Sequence, residues 1–265
     1  GPAPQANPAH LDGEHWEKVF ITGSPAGFQR LEIHPIEHEG EPAYRFDILS
    51  EMKAVQFGTS IFVRVLGDAI MRPDGTPICV RETVQIGPDT HTFEGTLRGS
   101  VLQSTVNVDG TDQPHELVWP EDAIFMIGVP FSLWSAPMRP GETRRLQTFE
   151  YQQDMIRHQL RAKEFESVEI DGQELELLRI EDDMMIGQAS MSSIYWTDEE
   201  GTVVKSSMGD FADSYRTTRE EALAVASESA VDLGFGVSVP VARSLDPPHE
   251  TQSVRYLVTL RGEDP

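Results

Sequence analysis

Residues 34–38 read His-Pro-Ile-Glu-His. This is the H-x-x-E-H order in which two histidines hold zinc and the glutamate acts as base. That chemistry needs both imidazoles on one helical face. Here "RLEIH" alternates like a strand, and Pro35 stands where a helix interior would have to continue. Glu39-Gly40-Glu41-Pro42 reads as a loop, so His34 and His38 are expected to flank a polar turn. A zinc enzyme using His34, Glu37 and His38 is therefore the least supported functional reading, and no metal ligand is assigned.

The other reactive residue types lack their usual settings. Cys79 is the single cysteine. It lies in "TPICVRETV", a strand-like run with no helix N-terminus and no histidine beside it, so an ordinary thiol is expected. No disulfide can form within the chain, and no CxxC pair exists. There is no G-x-S-x-G elbow, and the serines of 190–193 read as strand residues. No G-x-G-x-x-G or phosphate-binding loop follows a strand. Asp198-Glu199-Glu200 lacks the spacing of a calcium loop. Asp198 is instead expected to accept turn N–H groups, Gly201 to take positive φ, and the two glutamates to face water. No catalytic residue and no cofactor is expected.

Charge excludes more than the motifs do. The chain has 265 residues with 21 Lys+Arg against 44 Asp+Glu, a net charge of −23. Such a surface repels phosphate backbones and anionic lipid heads, so nucleic acid is not an expected partner. No apolar run approaches the ~20 residues of a membrane helix. Cysteine poverty suits a cytoplasm or a periplasm. Gly1-Pro2 resembles a protease scar, which leaves room for a removed signal peptide.

Alternating runs broken by turn residues dominate from Trp16 onward. "YRFDILSEM", "SIFVRVLGDAIM" and "PICVRETVQI" are strands, with Pro73-Asp74-Gly75 as a turn. Asp109-Gly110, Asp171-Gly172, Glu39-Gly40 and Glu200-Gly201 mark further hairpins. Residues 143–170 read as two strands. Thr217-Thr218-Arg219-Glu220-Glu221 carries capping boxes and starts a helix near 217–229. "PEDAIFMIGVPFSLWSAP" (120–137) opens with Pro and acids, then is apolar nearly all round. A buried helix near 121–135 is expected, kinked or ended by Pro130.

The fold class is thus mainly β (α+β): a curved antiparallel sheet, or half-barrel, wrapped around a buried helix, plus one short capped helix. Residues 1–10 form a leader, 11–230 the β domain, and 231–265 an extended linker with the first strand of a further module ("TQSVRYLVTLRG"). Phe125, Phe131, Trp134 and Trp196 are the candidate ligand-binding residues near the concave face.

Several stretches resemble the region that precedes the catalytic core of bacterial transglutaminase-like (Cys-His-Asp, papain-like) proteins. They are Trp16 leading to Gly23, Gly27 and Phe28; the turn "MRPGETRRL", where Met138 replaces the family's Leu; the hairpin "YWTDEEGTVVKS"; and "VPVARSLDPPHETQSVRYLVTLRGEDP". The front part resembles a half-barrel of the lipoprotein-carrier type. The resemblance implies export, to the periplasm or cell surface, and a catalytic domain after residue 265. It transfers no catalytic residue. It implies a non-catalytic accessory domain offering its concave face to a peptide, protein or substrate. The competing reading is a carrier or sensor of an apolar small molecule.

Overall fold

The computed structural model describes residues 12–56, 59–108, 110–125, 127–150, 154–228 and 231–232. The chain forms two units, Gly1–Leu233 and Gly234–Pro265, and every described residue belongs to the first. The expected leader and the expected strand at "TQSVRYLVTLRG" lie outside the described residues.

Sixteen strands and two helices occur among the described residues. The first half runs β1 (Gly13–Ile21), β2 (Ser24–His38), β3 (Glu41–Gln56), β4 (Thr59–Met71), β5 (Pro77–Ile86), β6 (Asp89–Arg98), β7 (Val101–Val108) and β8 (Thr111–Val118). Next come β9 (Ala123–Phe125), α1 (Gly128–Ser135), β10 (Thr143–Glu150), β11 (Asp154–Ile170), β12 (Gln173–Ile186), β13 (Ala189–Thr197), β14 (Val203–Met208) and β15 (Ala212–Thr217). Helix α2 (Arg219–Glu228) and the two-residue β16 (Val231–Asp232) follow. All strands share one sheet, in the order 8-7-6-5-4-3-2-1-15-14-13-12-11-10-9, with β16 beside β3.

Pairing along this order is antiparallel except for β9 on β10. The cause is local. Two-residue turns such as Asp171-Gly172 (φ 52° and 75°) match the twist of the strands they join.

The sheet curls on itself. Phe93 on β6 and Phe149 on β10 are eleven strand positions apart, which would be roughly 50 Å in a flat sheet. Their rings are 5.9 Å apart. The edge strands β8 and β9 are consecutive in the chain. Trp119, between them, donates its backbone N–H to Ser100 O (2.7 Å) and its indole N–H to Ala123 O (3.3 Å). The result is a barrel-like shell.

Helix α1 fills one half of the shell. Phe131 and Trp134 pack with Tyr44, Phe46 and Met71, while Val129 and Leu133 pack with Leu160, Leu178 and Ile180. Ile127 at its N-cap offers no side-chain hydrogen bond. Its C-terminal end is held by Arg144, whose guanidinium donates to Ser132 O (2.7 Å) and Oγ (3.1 Å).

Three expectations need correction here. Helix α1 begins at Gly128, because Ala123–Phe125 pairs with β10 instead; short apolar runs fit a strand or a helix equally well. Pro130 neither kinks nor ends the helix: it sits in the first turn, where its absent N–H removes no bond. The turn expected at 34–38 is strand, and the chain reverses only at Glu39-Gly40. Past Ile33, β2 pairs with β3 only, and such an edge tolerates Pro35.

Helix α2 lies on the convex face over Trp16 and Phe28. Thr218 Oγ1 accepts the Glu221 N–H (3.3 Å), the expected cap.

Asp198 accepts from Glu200 N (3.0 Å) and Thr202 N (2.8 Å), so the acidic cluster is a hairpin tip. Gly201 there has φ 81°, and a Cβ would lie 2.2 Å from Leu133 O of α1. Gly172 has a similar φ (75°) but open space around it. Gly172→Ala is expected to cost about 1 kcal/mol and Gly201→Ala roughly 3 kcal/mol or more, measured by denaturant unfolding. Equal costs would mean that this turn does not press on α1.

Candidate functional site

The inward residues of β3, β2, β1 and β15 change character part-way along the shell. Beneath α1 they are apolar: Phe46, Ile33 and Leu31. One row further on, Ser50, Gln29, Glu17 and Arg216 stand in direct cross-strand register. Four polar side chains on one face of four neighbouring strands form a belt across the interior. Strand parity alone puts them there, since on β1, β2 and β3 each stands two residues from an inward position of the adjacent row, His15, Leu31 and Ile48.

Beyond the belt lies a pocket of about 290 Å³. Its polar wall includes Glu17, Ser206, Ser214 and Tyr195; its apolar wall includes Val19, Met52 and Met208; Pro130 of α1 closes it on one side. Ser206 and Ser214 hydroxyls are 2.9 Å apart, and Ser214 donates to Glu17 Oε2 at 2.8 Å. A narrower cleft of about 40 Å³ adjoins it and shares Glu17, Gln29, Pro130 and Val203. That cleft adds Arg216, His15 and Trp134. Arg216 Nη2 donates to His15 Nδ1 (2.8 Å), and the His15 ring stacks on Trp134 at 5.8 Å. The Trp134 indole N–H is buried without a partner among the described residues.

Glu17 is partly buried, borders the pocket and lies deep among protein atoms. Desolvation pushes its carboxyl above the ordinary 4.5, while the Ser214 hydrogen bond and the Arg216 charge pull part-way back. The site can therefore supply a carboxylate, a guanidinium and several hydroxyls, enclosed but reachable.

A second buried polar group has the residue types of a hydrolase triad. Thr148 Oγ1 and His158 Nε2 are 2.9 Å apart, and His158 Nδ1 is 2.8 Å from Asp182 Oδ2. All three are buried, at 3%, 7% and 0% exposure. A Cβ on Gly128 would lie 2.1 Å from the Thr148 methyl, so α1 covers the hydroxyl closely. No substrate can reach it, and the network serves to tie β10, β11 and β12 together under the helix.

Of the four predicted aromatics, Phe125, Phe131 and Trp134 share one core cluster and Trp196 lies in another. Phe125 and Phe131 are 1% exposed, filling the core rather than lining a cavity. Trp134 borders the narrow cleft. Trp196 packs with Ile170 and Leu177, in a cluster away from α1, under the Lys205 ammonium at 4.7 Å. The reason is parity: Ser193 and Tyr195 of β13 line the pocket, so Trp196 faces the other way. Ser193, expected to be structural, is a pocket residue. Cys79 borders an open hollow of about 320 Å³ that also holds Asp68, Arg81 and Glu94, the last two paired with each other (2.8 Å). His34 bonds to Glu32 (2.8 Å) and Asp12 (3.0 Å) on an exposed strand.

Glu17, Gln29 and Arg216 were not among the predicted residues. Their signal is a polar residue at an inward position, which becomes readable only when the facing parity of each strand is known.

No family model matches the chain, and no curated protein matches it in sequence. In structure it resembles the β-barrel-like protein of domain of unknown function DUF1849 from Brucella abortus, with TM-score 0.55 and 8% identity over 77% of this chain and 95% of that one. A Bacteroides fragilis protein with a YmcC-like fold aligns over 77% of this chain and 94% of that one, at TM-score 0.30 and 10% identity. The first likeness shows a shared barrel-like fold.

The raised Glu17 value has a stability consequence with a definite sign. Ionised Glu17 costs the fold at pH above the raised value. The cost shrinks as pH falls through that value and is gone below about 4.5, where the unfolded chain also binds the proton. Glu17→Gln is expected to raise the thermal midpoint near neutral pH and to leave it unchanged below pH 4.5. Equal midpoints at neutral pH would mean that the carboxyl is not desolvated.

Proposed function

We propose that this unit is a non-catalytic binding domain that takes a small, polar, amine-bearing ligand in the pocket beyond the belt. The observation that carries this reading is a pocket of about 290 Å³ lined by Glu17 and serine hydroxyls inside a barrel-like shell. The volume suits a small molecule. Glu17 and Asp213 are the charged lining residues, so the pocket favours a cation or a donor-rich group.

The apolar-carrier reading has less support. The greasy half of the concavity is occupied by α1, with Phe125 and Phe131 locked among other rings. An acyl chain would have to displace the helix.

A role beside a transglutaminase-like catalytic domain, and export with it, belongs to the same proposal and rests on the sequence motifs. Their structural work supports it in part. In "MRPGETRRL", Glu142 accepts the Arg139 N–H (3.1 Å) and bonds Arg144 (3.0 Å), which holds the end of α1. In "YWTDEEGTVVKS", Gly201 presses on the same helix. Both motifs secure the plug of a half-barrel.

An amide-correlation NMR screen with small amines, polyols and amino acids tests the reading. Shifts are expected to cluster on β1, β14 and β15, and to vanish in Ala212→Trp, which fills the pocket. Shifts confined to the convex face, or retained in that variant, would overturn it.

A further inference from the structure

We propose that Glu17 and Arg216 receive the two opposite charges of one ligand, a small zwitterion of the α-amino-acid class with an apolar side chain. The inference rests on the pocket being the binding site, as argued above, and it names what that site selects.

The two residues are cross-strand partners on the inner face of β1 and β15. Opposite charges so placed would ordinarily bond each other. Here each turns elsewhere. Glu17 accepts from Ser214, on the pocket side. Arg216 donates to His15, on the side of the narrow cleft. Neither hydrogen bond joins the two: both residues line the narrow cleft, where the Arg216 charge acts on the Glu17 carboxyl, and Glu17 also lines the larger pocket, which shares Pro130 with the cleft.

The cleft has its own sign of incompleteness. Trp134 lines it, is 6% exposed, and has an indole N–H without a partner among the described residues. A buried donor left open costs free energy unless something fills it. A carboxylate in the cleft would accept from Arg216 and from Trp134. The volume of about 40 Å³ leaves room for a group of that size. The remainder of the ligand then extends into the larger pocket. Its ammonium meets Glu17 and the serine hydroxyls, and its side chain meets Val19, Met52 and Met208. Burial raises the Glu17 carboxyl, and a bound ammonium would favour its charged form.

Calorimetric titration of the whole chain with L-norvaline, butylamine and pentanoate separates the contributions. The second probe is the first without its carboxylate, and the third is the first without its amine. Norvaline is expected to bind about ten-fold or more tightly than either half. Glu17→Gln should weaken norvaline about ten-fold and leave pentanoate no weaker. Arg216→Gln should weaken norvaline and leave butylamine unchanged, and Arg216→Lys should recover part of the loss. Thermal unfolding of each variant confirms the fold. If a variant does not fold, the three-probe comparison on the unaltered chain still decides. If butylamine binds as tightly as norvaline, the zwitterion is wrong while the pocket reading stands. If pentanoate equals norvaline, the zwitterion and the amine preference both fall. If none of the three binds while other polar fragments shift the pocket amides, only the zwitterion falls. If nothing shifts the pocket amides at all, both readings fall.

Discussion

Burial of α1 between the two halves of the sheet is the constraint from which the rest follows. An eight-residue helix with no side-chain N-cap is too short to persist in water. Five of its eight residues are buried, on more than one side. It exists because the strands curl round it, and they can curl round it because it supplies side chains for both halves of the interior. Phe131 and Leu133 each contribute about 1.5–3 kcal/mol by leaving water. Three further contacts fix the helix in place: Arg144 at its end, the Thr148 methyl against Gly128, and the Gly201 turn against Leu133 O.

The helix also sets where a ligand can go. It fills the concavity as far as Pro130 and stops. Past that residue polar side chains join apolar ones on the inner face, and space remains. Burying Glu17 and Arg216 there stabilises nothing that an apolar pair would not stabilise better. The His158–Asp182 pair, at 2.8 Å, differs: it is sealed under α1, where His158 bonds both Thr148 and Asp182. One buried polar group braces the shell, and the other faces a space it could share with a solute.

Much of the architecture was legible in the sequence. Hairpin chemistry at Asp171-Gly172 and Glu200-Gly201, the capping box at Thr218 and Glu221, and the greasy run after Pro120 all act locally, so their residues announce them. Two of the short resemblance stretches, "MRPGETRRL" and "YWTDEEGTVVKS", act locally too, as turns that contact α1. The exact start of the helix was not. Ala123–Phe125 becomes strand because β10, twenty residues on, offers a ladder. The site was less legible still. Trp196 and Tyr195 are adjacent in sequence, both are aromatic, and they face opposite sides, so residue type alone does not say which faces the pocket. Glu17 and Arg216 are 199 residues apart and meet only because β1 pairs with β15. A register between the first and fifteenth strands leaves no trace in either segment alone.

Amide hydrogen exchange along α1 tests the central claim most directly. If the helix is the fixed wall of the pocket, the amides of Phe131 to Ser135 exchange only when the whole unit unfolds, and their protection falls with denaturant at the global slope. Protection far below the global value, with β3 and β11 still protected, would show a helix that opens by itself. The polar pocket would then be a fragment of a larger cavity, contrary to this account.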